Sequence, residues 1–363
     1  MKNKILGIIG GGQLGRMIAL SASHLGINSH IYDPNPDSPA FDVASDIFNN
    51  EYSDIEAVKK FAKGVDVCVY EFENIPIRTA QTIEDLCPLR PSSKVLAISQ
   101  DRLLEKKFLS DKAKVRTAPF YECNNIDDLK TATKYLNKSA ILKTRRLGYD
   151  GKGQVRINKD SNLETIWKKV GDNQSIVEGF ISFQRELSVI IARSIDADIK
   201  IYDCVENRHK NHILDETIAP APHLKNKVQN SAEEIAIRIA NELNLIGLLA
   251  VEMFEMEDGE LVVNEIAPRP HNSGHWTMDG CTTSQFEQSV RAAMGWPLGS
   301  TLRNVDIVMK NLIGKEINLI NTFLEDSRYK TYNYGKKEVR EGRKMGHINR
   351  IIEKDSNVSK FMP

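Results

Sequence analysis

The run Ile5-Leu6-Gly7-Ile8-Ile9 ends in Gly10-Gly11-Gly12 and passes directly into an apolar-periodic segment over residues 14–25. A short strand that is apolar at nearly every position needs cover on both faces, and a strand feeding a helix through glycines is the opening unit of a parallel sheet. The pattern repeats. Residues 28–32 form a second strand pattern closing on Asp33-Pro34, and residues 65–70 a later one whose end delivers Glu71 and Glu73. Residues 1–99 are therefore expected to form an α/β domain with a Rossmann-like parallel sheet, and ligands of such sheets bind beyond the strand C-termini.

The remaining length calls for more than one core. With 363 residues and a 41% apolar share, the chain has room for two or three domains of ordinary composition. A helical stretch from Arg102 leads through Thr117-Ala118-Pro119 into a second region, expected over residues 100–296 with a flap subdomain near 118–186. A third, small and mostly β region is expected over 297–363, after Trp296-Pro297. The 49 Lys and Arg balance 49 Asp and Glu, so no overall field draws the chain to nucleic acid or to a membrane. The N-terminus lacks a signal-peptide pattern and no apolar run suits a bilayer, which predicts a cytoplasmic protein. Five widely spaced cysteines argue for reduced, packed thiols and against a disulfide framework or zinc site.

Gly10-Gly11-Gly12-Gln13-Leu14-Gly15 satisfies G-x-G-x-x-G, with Asp33 at the end of the next strand. One reading is a nicotinamide dinucleotide site; a narrower one is a close-approach loop at a helix N-terminus that suits any anion or polar group. A second nucleotide site is stronger. Lys143 ends the strand Ile141-Leu142-Lys143, Arg145-Arg146 follow, and Gly148-Tyr149-Asp150-Gly151-Lys152-Gly153-Gln154 describes a flap able to lower backbone amides and positive charge onto a polyphosphate. A basic hairpin turn would carry the same composition. Farther on, Glu178-Gly179-Phe180-Ile181 closes a strand whose edge suits a purine ring, and Glu186 could hold a ribose hydroxyl.

The richest stretch for chemistry is a predicted hairpin. Leu248 to Phe254 reads as a strand, Glu257-Asp258-Gly259 as its turn, and Leu261-Val262-Val263-Asn264-Glu265-Ile266 as the return. Glu252 can then lie near Asn264 or Glu265. Acids inside apolar strands are costly unless neutralised, and hard oxygen donors without thiolates favour magnesium over zinc. Two solvated acids on an edge hairpin would be the bland alternative. Arg269-Pro270-His271-Asn272-Ser273-Gly274-His275-Trp276-Thr277 follows directly.

Taken in this order, the elements resemble the ATP-grasp ligases, and within them the 5-(carboxyamino)imidazole ribonucleotide synthases of purine biosynthesis. The resemblance spans nearly the whole chain, from Gly12-Gln13-Leu14-Gly15-Arg16-Met17 through Gln100-Asp101-Arg102, the flap and Asn264-Glu265 to Gly342-Arg343-Lys344-Met345-Gly346-His347. His271-Asn272-Ser273-Gly274-His275 is its most specific part. It implies a homodimeric enzyme that uses ATP and Mg2+ to carboxylate 5-aminoimidazole ribonucleotide with bicarbonate through carboxyphosphate. Formate-dependent glycinamide ribonucleotide formylation is the nearest competing activity.

By matching motif positions, ATP is expected on Arg102, Lys143, Gly148, Tyr149, Asp150, Gly151, Lys152, Gly153, Gln154, Glu178, Gly179, Phe180, Ile181, Glu186, His209, Asn264 and Glu265. Magnesium is assigned to Glu252 and Glu265, and Lys152, Arg269, His271 and Glu265 are the catalytic candidates. The acceptor is expected on Gln13, Leu14, Glu71, Tyr149, Asp150, Lys152, Arg269 and His271, with Glu73 a weaker alternative to Glu71. Residues 328–354 carry nine Lys or Arg against three acids, and Lys337, Arg343 and Lys344 are the expected phosphate clamp, with a solvated basic face or a nucleic-acid patch as alternatives. Two residues depart from the family pattern: His212 stands where glycine is usual, and Glu341 where proline is usual.

Overall fold

The computed structural model describes residues 4–136, 139–148, 152–171 and 173–356. Tyr149, Asp150 and Gly151, expected at the tip of the flap, lie outside the described residues. Strands β1 (Ile5–Ile9), β2 (Asn28–Tyr32), β3 (Asp46–Phe48) and β4 (Val67–Tyr70) form a parallel sheet in the order β3-β2-β1-β4. The expected strand–glycine–helix opening is present, with a helix at Gln13–His24. Its buried face, including Leu14, Met17 and Ile18, packs on Leu6 and Ile8. The same core takes in Phe286, Val290 and Ala293 from the distant helix Gln285–Met294. One face of the first sheet is thus closed by an element nearly three hundred residues away in sequence.

Strands β5 (Phe120–Cys123), β6 (Ala140–Thr144), β7 (Gln154–Ile157) and β8 (Ser175–Gly179) make a small antiparallel sheet in the order β5-β8-β6-β7. It is backed by the helices Ile126–Tyr135 and Leu163–Lys169 through Leu129, Ala132, Ile166 and Trp167. The glycine-rich flap is the connection between β6 and β7, whose register pairs Lys143 with Gln154.

The largest sheet holds β9 (Arg185–Arg193), β10 (Ile199–Ile201), β11 (Val205–Lys210), β12 (Ile213–Ala219), β13 (Gly247–Glu255), β14 (Leu261–Ala267), β15 (Asp306–Ile313), β16 (Tyr329–Asn333) and β17 (Lys344–Ile352). Among the described residues its path is β14-β13-β9-β11-β12-β15-β17-β16, with β10 on β9. The strands beyond residue 297 therefore continue the central sheet through the β12–β15 pairing. The helix Asn226–Glu242 covers one face of this sheet through Ala232, Ala236 and Ile239, while Trp276 lies fully buried in a separate core with Leu248, Ala250, Ile307 and Met309. Cys68, Cys87, Cys123 and Cys204 are buried free thiols. No described helix is long and apolar enough to cross a membrane.

Candidate active site

The predicted hairpin forms, and its register puts Glu252 directly opposite Glu265. The next pair is Met253 with Val263, so Asn264 is an inserted residue in β14. A bulge of this kind twists the strand and re-aims the side chains next to it. Burial, reinforced by the charge of Glu265, raises the Glu252 carboxyl to about 8 against the opposing pull of His209 and Lys344. Two facing carboxyl groups in a buried setting are short of positive charge, and a divalent cation would fit that deficit. Among the described residues no group of three or more His, Cys, Asp or Glu side chains forms a complete cage. Glu252 and Glu265 are the residues that could hold a magnesium ion here.

Beside this pair, His271 Nε2 lies 3.1 Å from Glu252 Oε1. The other ring nitrogen is the acceptor of a directed chain. Ser273 donates to it from its backbone N–H at 3.3 Å, and its hydroxyl lies 2.9 Å away. Ser188 Oγ lies 2.8 Å from Ser273 Oγ, Asn207 Nδ2 donates to Ser188 at 2.9 Å, and Thr217 donates to Asn207 Oδ1 at 2.8 Å. Because the asparagine N–H and the serine N–H can only donate, protons run toward His271 Nδ1 and leave Nε2–H facing Glu252. Burial, with Arg269 and Lys344 adding to it, holds the His271 pKa well below the ordinary imidazole range, so the ring is neutral. The rest of the motif turns away from the carboxylates. His275 and Trp276 are core residues, and Gly274 gives Gln285 the space to bracket His271 through its backbone N–H at 2.9 Å and carbonyl at 2.8 Å.

The base of the flap is held by charge. Lys143 donates to Glu178 at 3.0 Å, and Lys106 lies 3.7 Å from the same carboxylate. Burial alone would raise Glu178, but these two ammonium groups overrule it and hold the acid at about 2. Arg102 donates to the carbonyls of Thr144 at 3.2 Å and Gly148 at 3.0 Å. A methyl group at Gly148 would fall 2.8 Å from that guanidinium and 2.9 Å from the Lys152 carbonyl, which explains the glycine. Gly153 has a positive φ of 70° and the exposed Lys152 precedes it at the end of the flap. At the end of β8, Phe180 is exposed beneath the Arg156 guanidinium at 4.1 Å, with Gly179 and Ile181 half-buried around it. Glu186 and His209 Nδ1 are joined at 2.9 Å; burial opposes the imidazolium, but Glu186 outweighs it and raises the His209 pKa.

The N-terminal glycine loop is filled by the protein itself. Glu71 accepts from the backbone of Gly12 at 2.7 Å and of Gly15 at 2.9 Å, at the N-terminus of the helix where a dinucleotide would place its pyrophosphate. Asp33 is likewise committed, to Gly11 N at 2.7 Å and Ser38 Oγ at 2.8 Å. The dinucleotide reading of the motif is corrected on these grounds: both chemical features it relies on serve to order the loop. Gln13 opens the helix, whereas the Leu14 side chain packs into the core. Arg269 reaches across to Glu73 at 2.8 Å, and the attraction of Glu73, with Glu71 and Glu265 behind it, outweighs burial and keeps the guanidinium charged.

The three basic candidates of the last region separate. Lys344, first residue of β17, is close enough to His209, Glu252 and His271 for its charge to favour the deprotonated form of each. Lys337 is ion-paired with Asp37 of the first region, and Arg343 donates to the Glu338 carbonyl at 2.9 Å.

Three family models match consecutive stretches: the ribonucleotide synthetase preATP-grasp domain over residues 1–100, the ATP-grasp domain over 108–286, and the phosphoribosylaminoimidazole carboxylase C-terminal domain over 307–360. The N5-carboxyaminoimidazole ribonucleotide synthase of Bacillus subtilis (strain 168) is 44% identical over 95% of this chain and 90% of its own. The chain belongs to the N5-carboxyaminoimidazole ribonucleotide synthase family.

Other members agree with this placement. The Brucella melitensis synthase is 42% identical over 95% of this chain and 96% of its own. A crystal structure of a synthetase of this family with ADP superposes with a TM-score of 0.94, 39% identity and coverage of 99% and 94% of the two chains. The Aspergillus clavatus synthase, crystallised with ADP and 5-aminoimidazole ribonucleotide, gives 0.90 at 27% identity, covering 97% and 94%. The chain is accordingly an ATP-grasp ligase. Within this frame the structure adds residues that motif reading passed over, Glu105, Lys106, Ser188 and Asn207, and gives Ser273 of the His271–His275 run a partner in His271. A lysine inside an apolar-flanked helix and polar residues on the inward positions of strands were the available signals, but neither names a partner.

Proposed function

We propose that this ligase carboxylates the exocyclic amine of 5-aminoimidazole ribonucleotide, using ATP, bicarbonate and magnesium. The observation that carries the reading is the facing Glu252–Glu265 pair, set between the Lys143-bearing flap base and the Arg269–His271 segment that reaches the first domain. A bicarbonate oxygen attacks the terminal phosphorus of ATP and ADP leaves, giving carboxyphosphate. The amine nitrogen then takes the carboxyl carbon while phosphate departs and the nitrogen loses a proton.

The chain's groups supply position and charge, which is most of what phosphoryl transfer needs. Lys143 and Lys152 neutralise the polyphosphate, Glu186 with His209 orients the ribose, and Gly179, Phe180 and Ile181 line the base. Magnesium, bound by Glu252 and Glu265, would supply further charge neutralisation on the phosphates. Arg269, with its charge sustained in a buried site, and neutral His271 can hold the bicarbonate-derived carboxyl, and a closed flap would keep water from it. Gln13 and the loop ordered by Glu71 face the acceptor. Its phosphate falls to the basic segment, where Lys337, Arg343 and Lys344 are the clamp residues; Lys337 and Arg343 must exchange their present partners to serve. We place the enzyme in the cytoplasm as a homodimer, which light scattering of the purified protein would test.

The direct test is ADP release with magnesium, omitting bicarbonate and ribonucleotide in turn. ADP formation that requires bicarbonate and rises strongly with the ribonucleotide is the expected result. ATP turnover indifferent to both would overturn the assignment of acceptor and carbon source.

A further inference from the structure

The edge strand β14 carries Asn264 and Glu265 on a bulge, and an edge strand leaves one row of backbone groups without a strand partner. In this molecule the row is met at Val263 by the backbone of Arg116 and Thr117, the Arg116 carbonyl accepting from Val263 N–H at 2.8 Å, and at the bulge by the short helix Arg102–Lys107. Lys106 donates to the carbonyl of Asn264 at 2.6 Å, with the Val263 carbonyl at 3.5 Å. Its neighbour Glu105 accepts from the backbone N–H of Ile266 at 2.8 Å. Adjacent side chains of one helix therefore grip the peptide groups on either side of Glu265. Both are almost wholly removed from solvent, at 3% exposure for Glu105 and 1% for Lys106. An acid and a base buried side by side are a poor device for stability, since an apolar pair of similar volume does as well or better. What they deliver is a fixed backbone. A bulge left without partners has more than one way to lie, and a carboxylate on it would point with the backbone.

The same helix also reaches the flap. Its N-cap, Asp101, accepts from Leu103 N at 3.0 Å and holds Arg145 through two contacts at 3.1 and 2.8 Å. Arg102 binds the flap carbonyls, and Lys106 approaches Glu178, the partner of Lys143. Asp101-Arg102 on one side and Glu105-Lys106 on the other tie the flap base and the Glu265 bulge to one six-residue helix and its N-cap.

We propose that Glu105 and Lys106 are positioning residues that clamp the β14 bulge, hold the Glu265 carboxylate opposite Glu252, and so set the affinity of the site for its divalent cation. The proposal rests on the reading of Glu265 as a metal ligand. Both residues act through the backbone of residues 264 and 266.

The test uses manganese as the probe, with free Mn2+ measured by electron paramagnetic resonance in the presence of ADP, together with steady-state kinetics against magnesium. Lys106→Met and Glu105→Leu are expected to weaken manganese binding by about tenfold or more, the usual scale for losing an outer-shell support. The magnesium concentration for half-maximal turnover should rise by a similar factor. The KM for 5-aminoimidazole ribonucleotide should stay within about twofold, since uniform substrate binding is untouched. Glu105→Gln, which keeps an acceptor for Ile266 N–H, should bind manganese like the parent, a rescue that mere packing would not predict. If either folded disruptive variant retains parental manganese affinity, the clamp is wrong. If Lys106→Met fails to fold by circular dichroism, the Glu105→Leu and Glu105→Gln pair decides, with equal affinities overturning the idea. Glu265→Gln is the control: normal manganese binding there would remove the metal-ligand reading itself, an outcome distinct from a clamp that has no effect.

Discussion

Glu265 and His212 show how differently a single residue can matter. Glu265 faces Glu252 and contributes charge without filling a core position, so Glu265→Gln should leave the thermal unfolding midpoint nearly unchanged. ATP turnover should fall by on the order of a hundredfold, the scale expected when a group stabilising developing phosphate charge is lost. ADP production close to the parental rate in the folded variant would take Glu265 out of the site. His212 lies in the Asn211-His212 loop between β11 and β12, where both residues have positive φ, 51° and 65°. That two-residue turn favours glycine at its second position, and a side chain there costs about 1 kcal/mol. His212→Gly is accordingly expected to raise stability in urea unfolding by about that amount. An unchanged or lower midpoint would show that the imidazole makes a compensating contact. Glu341 has a related explanation: Arg343 N–H donates to the Arg340 carbonyl, and Gly342 has φ 72°, which makes Glu341 the turn position that proline pre-organises.

The base of the β6–β7 flap is joined to the helix Arg102–Lys107 through Arg102 and the Asp101–Arg145 ion pair. Gly148 lies so close to Arg102 and to the Lys152 carbonyl that Gly148→Ala must displace one of them. The expected consequence is a KM for ATP raised by about tenfold with the fold retained, because misplacing a binding loop by a fraction of an ångström weakens positioning more than stability. Parental ATP kinetics in that variant would show that the flap base tolerates the shift. The hairpin β13–β14 was legible because alternating apolar residues around Glu257-Asp258-Gly259 leave few other pairings. Its bulge was not, since inserting one residue leaves no mark in composition. The strands within residues 205–219, β11 and β12, were also passed over, although His209 and His212 were singled out: the charged residues Glu206, Arg208 and Lys210 mask a strand period that pairing with β9 and β15 imposes.

At the scale of the whole molecule, buried imidazoles tie stability to pH. Burial lowers His347 to about 3, and burial, with the adjacent His347 and His271 rings and the more distant Lys344 and Arg269 behind it, takes His275 well below its ordinary value. In the unfolded chain both titrate near 6.5, so below that pH the unfolded state binds protons that the native state does not. Stability is then full above about pH 6.5 and falls with acidification by about 1.4 kcal/mol per pH unit for each such histidine. His347→Gln should remove one of these contributions, making the dependence of unfolding free energy on pH between 5 and 6.5 shallower by that amount. An identical slope would mean that His347 is protonated in the native protein. The two rings lie 4.7 Å apart between the motif after β14 and strand β17, so this acid sensitivity belongs to the seam between the central region and the last strands.

Local physics was enough for the chain itself to announce a parallel α/β opening, a glycine flap rich in cations, an acidic hairpin and a family resemblance that the relatives bear out. Strand alternation, glycine turns and buried apolar runs act over a few residues, and a reader of the sequence sees them directly. Tertiary structure decided which of the marked residues meet. It put Glu71 into the glycine loop that looked ready for a pyrophosphate, and sent His275 and Trp276 into the core while His271 stayed beside Glu252. It divided Lys344 from Lys337 and Arg343, and brought Glu105 and Lys106 to a strand about 160 residues away. Such choices depend on register, on a one-residue bulge and on which buried polar group finds a partner. Those are properties of the packed molecule, where leaving a charge or a peptide group unpaired costs more than any local preference can offset.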